Sequence, residues 1–257
     1  GHKRVVIDRA TGLLSSFCLD GVEYVKDGFS LCMFDDNPDP WAMQGFQLAR
    51  LGTGERAFEL MQQPDGVFEG LTPISVIEDG DIYLGVEAFF KCDNTRARVL
   101  YKIYKNNDLV DVDVTLFLGD IDCFVKLKVP FSKDGELLGQ TVFGTEPLYT
   151  DARENVSQRF IAMQHADNTC TALLNNCLYG SHFENGALYL SLARGVTYCA
   201  HPIMARPIIP TDRFIKKIDQ GESAYSFRLG VFAREELENA AQSFNHKPYV
   251  LNVFPTG

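Results

Sequence analysis

The dominant signal in this sequence is a period of two. Between residues 109 and 118, Val110, Val112, Val114, Leu116 and Leu118 share one face, while Asp111, Asp113 and Thr115 share the other. Successive side chains of an extended chain point to opposite sides, so this alternation predicts a strand with one face in a core. Residues 123–129 repeat it, with Val125, Leu127 and Val129 opposed to Phe124, Lys126 and Lys128. Two more long runs, 82–91 and 96–105, are separated by the polar turn Cys92-Asp93-Asn94-Thr95, and Lys105-Asn106-Asn107-Asp108 breaks the chain before 109. Consecutive strands of about ten residues joined by short turns predict an antiparallel meander.

Shorter β-rich runs stand at 4–8, 13–19, 29–34, 57–61, 67–77, 157–164, 170–175, 187–192, 225–232 and 249–254. Gly12, Gly21, Gly28, Gly66, Gly80 and Gly186 punctuate them as turns. Only 234–244 carries a helical period, with Leu237, Ala240, Ala241 and Phe244 at i, i+3, i+4 and i+7. Glu235 and Glu236 in its first turn suit the positive end of a helix dipole. Pro202, Pro207 and Pro210 make 200–217 a long excursion. No internal repeat, linker or low-complexity run divides the chain. Gly1-His2 reads as a vector-derived remnant, which leaves 3–257 as one β-sandwich domain. A chain of 257 residues buries roughly 70–75% of its unfolded surface without a metal or disulfide staple.

Charge narrows the partners. Lys plus Arg is 24 against 34 for Asp plus Glu, a formal net charge of −10. Nucleic acid and anionic membrane surfaces are attracted by clustered cations, so both are disfavoured. No run of apolar residues is long enough to span a bilayer. A neutral polar ligand, a protein partner or a homo-oligomer stays open. The seven cysteines, at 18, 32, 92, 123, 170, 177 and 199, are odd in number and form no C-x-x-C pair. They read as reduced core thiols of a cytoplasmic protein.

The sequence motifs are mostly weak. Gly52-Thr53-Gly54-Glu55-Arg56-Ala57 matches a dinucleotide fingerprint, but no helix follows it, so it reads as a turn. Asp35-Asp36-Asn37-Pro38-Asp39 opens like a calcium loop, yet Pro40 replaces the required glycine and Phe46 the bidentate Glu. Asn155-Val156-Ser157 is a glycosylation sequon, which a chain with no leader would not present to the machinery. His165, His182, His201 and His246 form no metal-ligand spacing. One cluster is chemically suggestive. Asp35, Asp36, Asn37, Asp39 and the only tryptophan, Trp41, follow a β run directly. An aromatic plate beside acceptors suits a sugar, while an acidic turn with Trp41 in the core is the plainer reading.

The ordered motifs resemble one family. Val5-Val6-Ile7-Asp8-Arg9-Ala10-Thr11-Gly12-Leu13-Leu14-Ser15-Ser16, the 29–41 stretch ending in Trp41, and Ile77-Glu78-Asp79-Gly80 come first. Lys126-Leu127-Lys128-Val129-Pro130-Phe131, Glu154–Phe160, Leu173–Gly180, Leu190-Ser191-Leu192-Ala193-Arg194 and Asp219-Gln220-Gly221-Glu222 follow. In that order they resemble the C-terminal β domain of glycoside hydrolase family 38 α-mannosidases, from about Arg4 to Phe254. The chain departs from the family at Ala42, Ser223 and Phe160, where Asp, His and Trp respectively are common.

The resemblance implies an all-β fold, a large antiparallel two-sheet supersandwich like galactose mutarotase, with one short helix near the C-terminus. It places zinc ligands, carboxylate nucleophile and acid/base in a catalytic domain preceding this region. No catalytic residue, metal ligand or cofactor is therefore expected within this chain, and zinc is implied only for the missing domain. The implied partners are that catalytic domain and a mannose-containing carbohydrate. The expected contact residues are Asp36, Asp39, Trp41 and Arg194, on one rim beside a concave surface. Arg194 ends a β run just before Gly195, and its fixed donors suit carboxylates or sugar hydroxyls. Two other classes compete: a stand-alone carbohydrate-binding module, favoured by the Trp41 cluster, and an aldose epimerase pairing His182 or His201 with Glu222.

Overall fold

In a computed structural model the alternating residues of the central strand are all buried: Val110, Val112, Val114, Leu116 and Leu118 face one core. The structure describes residues 2–36, 53–62, 72–176, 178–196, 203–207, 209, 211, 217, 219–246 and 248–253. The strands begin with β1 Lys3–Ile7, β2 Leu14–Leu19, β3 Val22–Val25, β4 Ser30–Asp35, β5 Thr53–Ala57 and β6 Glu59–Leu60. Next come β7 Ile74–Asp79, β8 Tyr83–Cys92, β9 Thr95–Tyr104, β10 Val110–Leu118, β11 Cys123–Pro130, β12 Glu136–Thr141 and β13 Gly144–Pro147. The last are β14 Glu154–Val156, β15 Phe160–Gln164, β16 Thr169–Asn175, β17 Gly180–Glu184, β18 Ala187–Arg194 and β19 Gly221–Ala233. A 3₁₀ turn, Arg234–Glu236, leads into helix α1, Leu237–Asn245.

The pairings are antiparallel. A ten-stranded sheet runs β13-β12-β15-β16-β19-β10-β9-β8-β6, with β7 also on β8. A six-stranded sheet runs β14-β17-β18-β11-β4-β5, and β1-β2-β3 form a third, small sheet. The main core lies between the two large sheets. Val99, Val112, Leu173, Phe227 and Leu229 meet Leu31, Met33, Val125, Leu127 and Leu190 there. The predicted meander is β8-β9-β10, paired from Cys92↔Thr95 outward and from Val110↔Ile103 onward. Asn185 and Gly186, at φ 51° and 77°, close the β17–β18 hairpin, because both central positions of that tight turn need the left-handed region.

Three expectations need correction. Residues 249–253 form no strand and lie exposed, with no hydrogen-bond ladder to another strand among the described residues. Thr53–Ala57 is a strand rather than a turn, pairing with β4 through Cys32↔Ala57 and Met33↔Arg56. Finally, β11 is buried on both faces: Phe124 and Lys126, read as an outward row, are as inaccessible as Val125 and Leu127. The predicted helix is present, shorter at its start. Leu237 and Ala241 seal Phe160, Ala162, Cys170, Ala172 and Leu174 on the outward face of β15 and β16. Gln140 Nε2 and Thr145 Oγ1 donate to Glu238, and Asn245 Nδ2 donates to the Asn175 carbonyl at 3.1 Å, fastening both helix ends.

Cys18, Cys32, Cys92, Cys123 and Cys170 are buried free thiols. Burial, with Asp120 nearby, pushes the Cys123 thiol up to about 12, so it stays protonated and unreactive at neutral pH. The sequon is closed to modification: Asn155 and Ser157 are buried, and the Asn155 side chain donates to the Tyr149 carbonyl and accepts from its N–H.

His165 gives the fold a pH dependence. It is buried, its Nδ1–H donating to the Asp134 carbonyl at 2.9 Å and its Nε2 accepting from Thr171 Oγ1 at 2.7 Å. Burial, reinforced by the Lys133 charge, lowers its pKa from the ordinary 6.5. The unfolded chain therefore takes up the proton first as pH falls, so this contribution is complete above about pH 6.5 and is lost below it. His165→Gln is expected to flatten the fall of Tm between pH 7 and pH 5, read by thermal denaturation. An unchanged slope would remove His165 as its source.

Candidate functional site

The outward face of the six-stranded sheet concentrates the chain's unusual chemistry. Alternation along β4, β11, β17 and β18 sends Leu31, Val125, Phe183 and Leu190 to the core. It turns Phe34, Phe124, Lys126, His182 and Tyr189 the other way. Cross-strand register then assembles them: Phe124 opposes Phe34 and Arg194, Lys126 opposes Ser191, and His182 lies between Glu154 and Tyr189.

A buried ionic cluster forms the floor. Lys126 is 0% exposed. Its Nζ donates to Glu154 Oε1 at 2.5 Å and to His182 Nδ1 at 2.8 Å. The His182 ring stacks on Tyr189 with centroids 4.5 Å apart, and Lys126 Nζ lies 4.7 Å from the Phe124 centroid. A buried cation is tolerable only with its compensating anion and hydrogen bonds in place, which Glu154 and His182 supply.

At the end of this face stands Arg194, the last residue of β18. Its Nε donates to Asp36 Oδ2 at 2.6 Å, with side-chain exposures of 18% and 3%, and its guanidinium carbon sits 5.5 Å from the Phe124 centroid. Backbone bonds fix both partners. Asp36 N–H donates to the Asp122 carbonyl at 2.8 Å and Asp122 N–H to the Gly195 carbonyl at 2.9 Å. Arg194 N–H donates to Asp219 Oδ2 at 3.1 Å. Beside them opens a concavity of about 410 Å³, walled by Phe124, Val156 and Leu192 and edged by Glu154, Arg194 and Asp219. Apolar walls with a few placed polar groups are the ordinary make-up of a small-molecule or side-chain pocket.

Of the residues singled out from sequence, Arg194 and Asp36 are joined directly, while Asp39 and Trp41 lie outside the described residues. The epimerase pairing does not form: His182 is on the outward face of one sheet and Glu222 on the outward side of β19 in the other, with the core between. His201 lies outside the described residues. The sequence did not single out Glu154 or Lys126, and it named His182 only in the epimerase pairing, not as a partner of these two. The signal that could have placed His182 is the Asn185-Gly186 turn, which fixes it opposite Tyr189. Among the described residues no group of three or more His, Cys, Asp and Glu side chains is placed to hold a metal ion. Nor is any helix among them long and apolar enough to cross a membrane.

Comparison with known proteins matches the chain to one family. The family model described as glycosyl hydrolases family 38 C-terminal domain matches residues 1–207. No curated protein matches in sequence. A glycosyl hydrolase family 38 protein from Enterococcus faecalis aligns with TM-score 0.68 at 10% identity, over 95% of this chain and 31% of its own. An α-mannosidase from Enterococcus faecalis V583 aligns with TM-score 0.65 at 12% identity, over 94% of this chain and 30% of its own. A putative aldose 1-epimerase from Escherichia coli K12 is fainter, at TM-score 0.42 and 9% identity, over 91% and 97%. This chain thus spans less than a third of the two family 38 structures, and it belongs to glycosyl hydrolase family 38 through that family's C-terminal domain.

Proposed function

We propose that the chain is the largely non-catalytic C-terminal domain of a zinc-dependent, retaining α-mannosidase. In this reading it packs on a preceding catalytic domain and lends contacts to the sugar pocket from the Arg194–Asp36 edge. The observation that supports it is the guanidinium itself. Arg194 is held by Asp36 on one side and Phe124 on another, at the end of a core strand beside a concavity. A guanidinium held this firmly at the edge of a concavity can meet an incoming hydroxyl or carboxylate without losing conformational freedom on contact. The zinc, in the catalytic domain, would hold sugar hydroxyls and orient the ring. Retaining hydrolysis would run through that domain's own carboxylates. A cytoplasmic location is part of the same proposal, in keeping with the buried free thiols.

The isolated chain is expected to show no turnover of an aryl α-mannoside, with or without added zinc. In the complete enzyme Arg194→Ala should lower kcat/KM about tenfold, or about 1.4 kcal/mol of transition-state stabilisation. Arg194→Lys keeps a cation beside Asp36 but loses the planar fork, so it should recover stability and only part of the activity. Turnover by the isolated chain, or wild-type kinetics in a folded Arg194→Ala enzyme, would sink the reading.

A further inference from the structure

The other large sheet carries a second hollow. Among the described residues, helix α1 covers its outward face over β15, β16 and the adjoining part of β19. Beside the helix, β9, β10 and β19 floor an open trough of about 790 Å³. That lies within the roughly 300–1,000 Å³ of small-molecule sites. Register sets the floor: Asp111 stands between Lys102 and Arg228, and Asp113 opposes Ser226.

The charged groups of the floor are already oriented. Arg228 holds Asp111 with two parallel bonds, Nε to Oδ1 at 2.6 Å and Nη2 to Oδ2 at 2.8 Å, and Tyr104 Oη donates to Asp111 Oδ2 at 2.8 Å. Asp113 accepts from Lys102 Nζ at 2.6 Å and from Ser226 Oγ at 2.7 Å. The Arg228 guanidinium is braced 5.0 Å from the Phe244 centroid, so the helix stiffens the floor it borders. Tyr249, on the rim, is 98% exposed.

Cations and anions balance on this floor, Lys102 and Arg228 against Asp111 and Asp113. Among the described residues the floor therefore carries no net charge with which to draw a phosphate, a polycation or an acidic peptide. What it presents is a grid of fixed donors and acceptors: Lys102 keeps N–H groups beyond the one given to Asp113, and the carboxylates keep lone pairs. A sugar hydroxyl donates and accepts at once, so neighbouring hydroxyls match an adjoining carboxylate and cation. Tyr249 offers a face for the C–H side of a ring. Partly exposed ion pairs contribute only about 0–1 kcal/mol each to stability, which does not by itself account for setting them in a helix-walled hollow. We propose that this trough binds a neutral oligosaccharide, at a site separated by the core from the Arg194 cleft.

Titrating the chain with an α-linked mannotriose, and separately with cellotriose, while following backbone amide resonances tests this. At least one sugar should produce saturable shifts on β9, β10 and β19 and none on 191–194. Asp113→Asn should weaken binding about tenfold, because it removes a charged acceptor. Tyr249→Ala, at a position too exposed to disturb the fold, should weaken it about fivefold. No saturable shift with either sugar up to roughly 20 mM, a range that covers millimolar affinity, would overturn the proposal. So would shifts confined to the Arg194 cleft, or binding unchanged in both variants. Because the readout is binding to the trough, the outcome is independent of whether the α-mannosidase reading holds.

Discussion

Glu154→Gln is expected to destabilise the domain by about 3–5 kcal/mol, the range for breaking a buried ion pair from one side. Lys126 is wholly inaccessible, and Glu154 supplies the anion 2.5 Å from its ammonium. The substituted amide can still accept a hydrogen bond but no longer balances the charge. His182 stays within 2.8 Å of the ammonium, and as a neutral ring it cannot take over that role. Guanidinium denaturation with an unchanged m-value would read the loss. Adding Lys126→Met to Glu154→Gln should recover a large part of it, since a methionine of similar length fills the space without a charge to compensate. A Glu154→Gln variant within about 0.5 kcal/mol of the parent would show that the charge is balanced by some other group.

Leu237→Ala should cost about 2–5 kcal/mol, the range for cutting a fully buried leucine back to its Cβ. Leu237 is the first residue of α1 and packs with Ala241 onto Phe160, Ala172 and Leu174. Those residues point away from the main core, so the helix is the cover described over that part of the sheet. Gln242→Ala, on the exposed side of the same helix, should stay within about 0.5 kcal/mol of the parent. Equal midpoints for the two variants would mean that the sheet face does not depend on α1. The same helix braces Arg228 through Phe244, so Leu237→Ala should also blur the amide shifts expected in the trough.

The helix and the strands differ in how far they could be read in advance. The i, i+3, i+4 pattern of Leu237, Ala240, Ala241 and Phe244 is local, and it marked both the element and its buried side. The meander was equally plain, because its strands are neighbours in sequence and pair through short turns. Residues 249–253 show the limit of local pattern. Their composition favours a strand, yet a strand exists only where another edge supplies its hydrogen-bond partners.

By itself, the sequence determined the all-β class, the meander, the C-terminal helix and which side of β10 and β11 faces the main core, because alternation and helical spacing follow from backbone geometry alone. Only the tertiary structure decided whether the opposite side meets water. Lys126 alternates like a surface residue and is completely buried, since whatever packs on a sheet's second face leaves no mark on the strand's own period. It also decided which distant residues meet. Asp36 and Arg194 are 158 positions apart and become an ion pair because β4 and β18 both flank β11. That adjacency is set by how long-range strand pairing buries the most apolar surface with every backbone bond satisfied, a property of the whole chain that no local window contains.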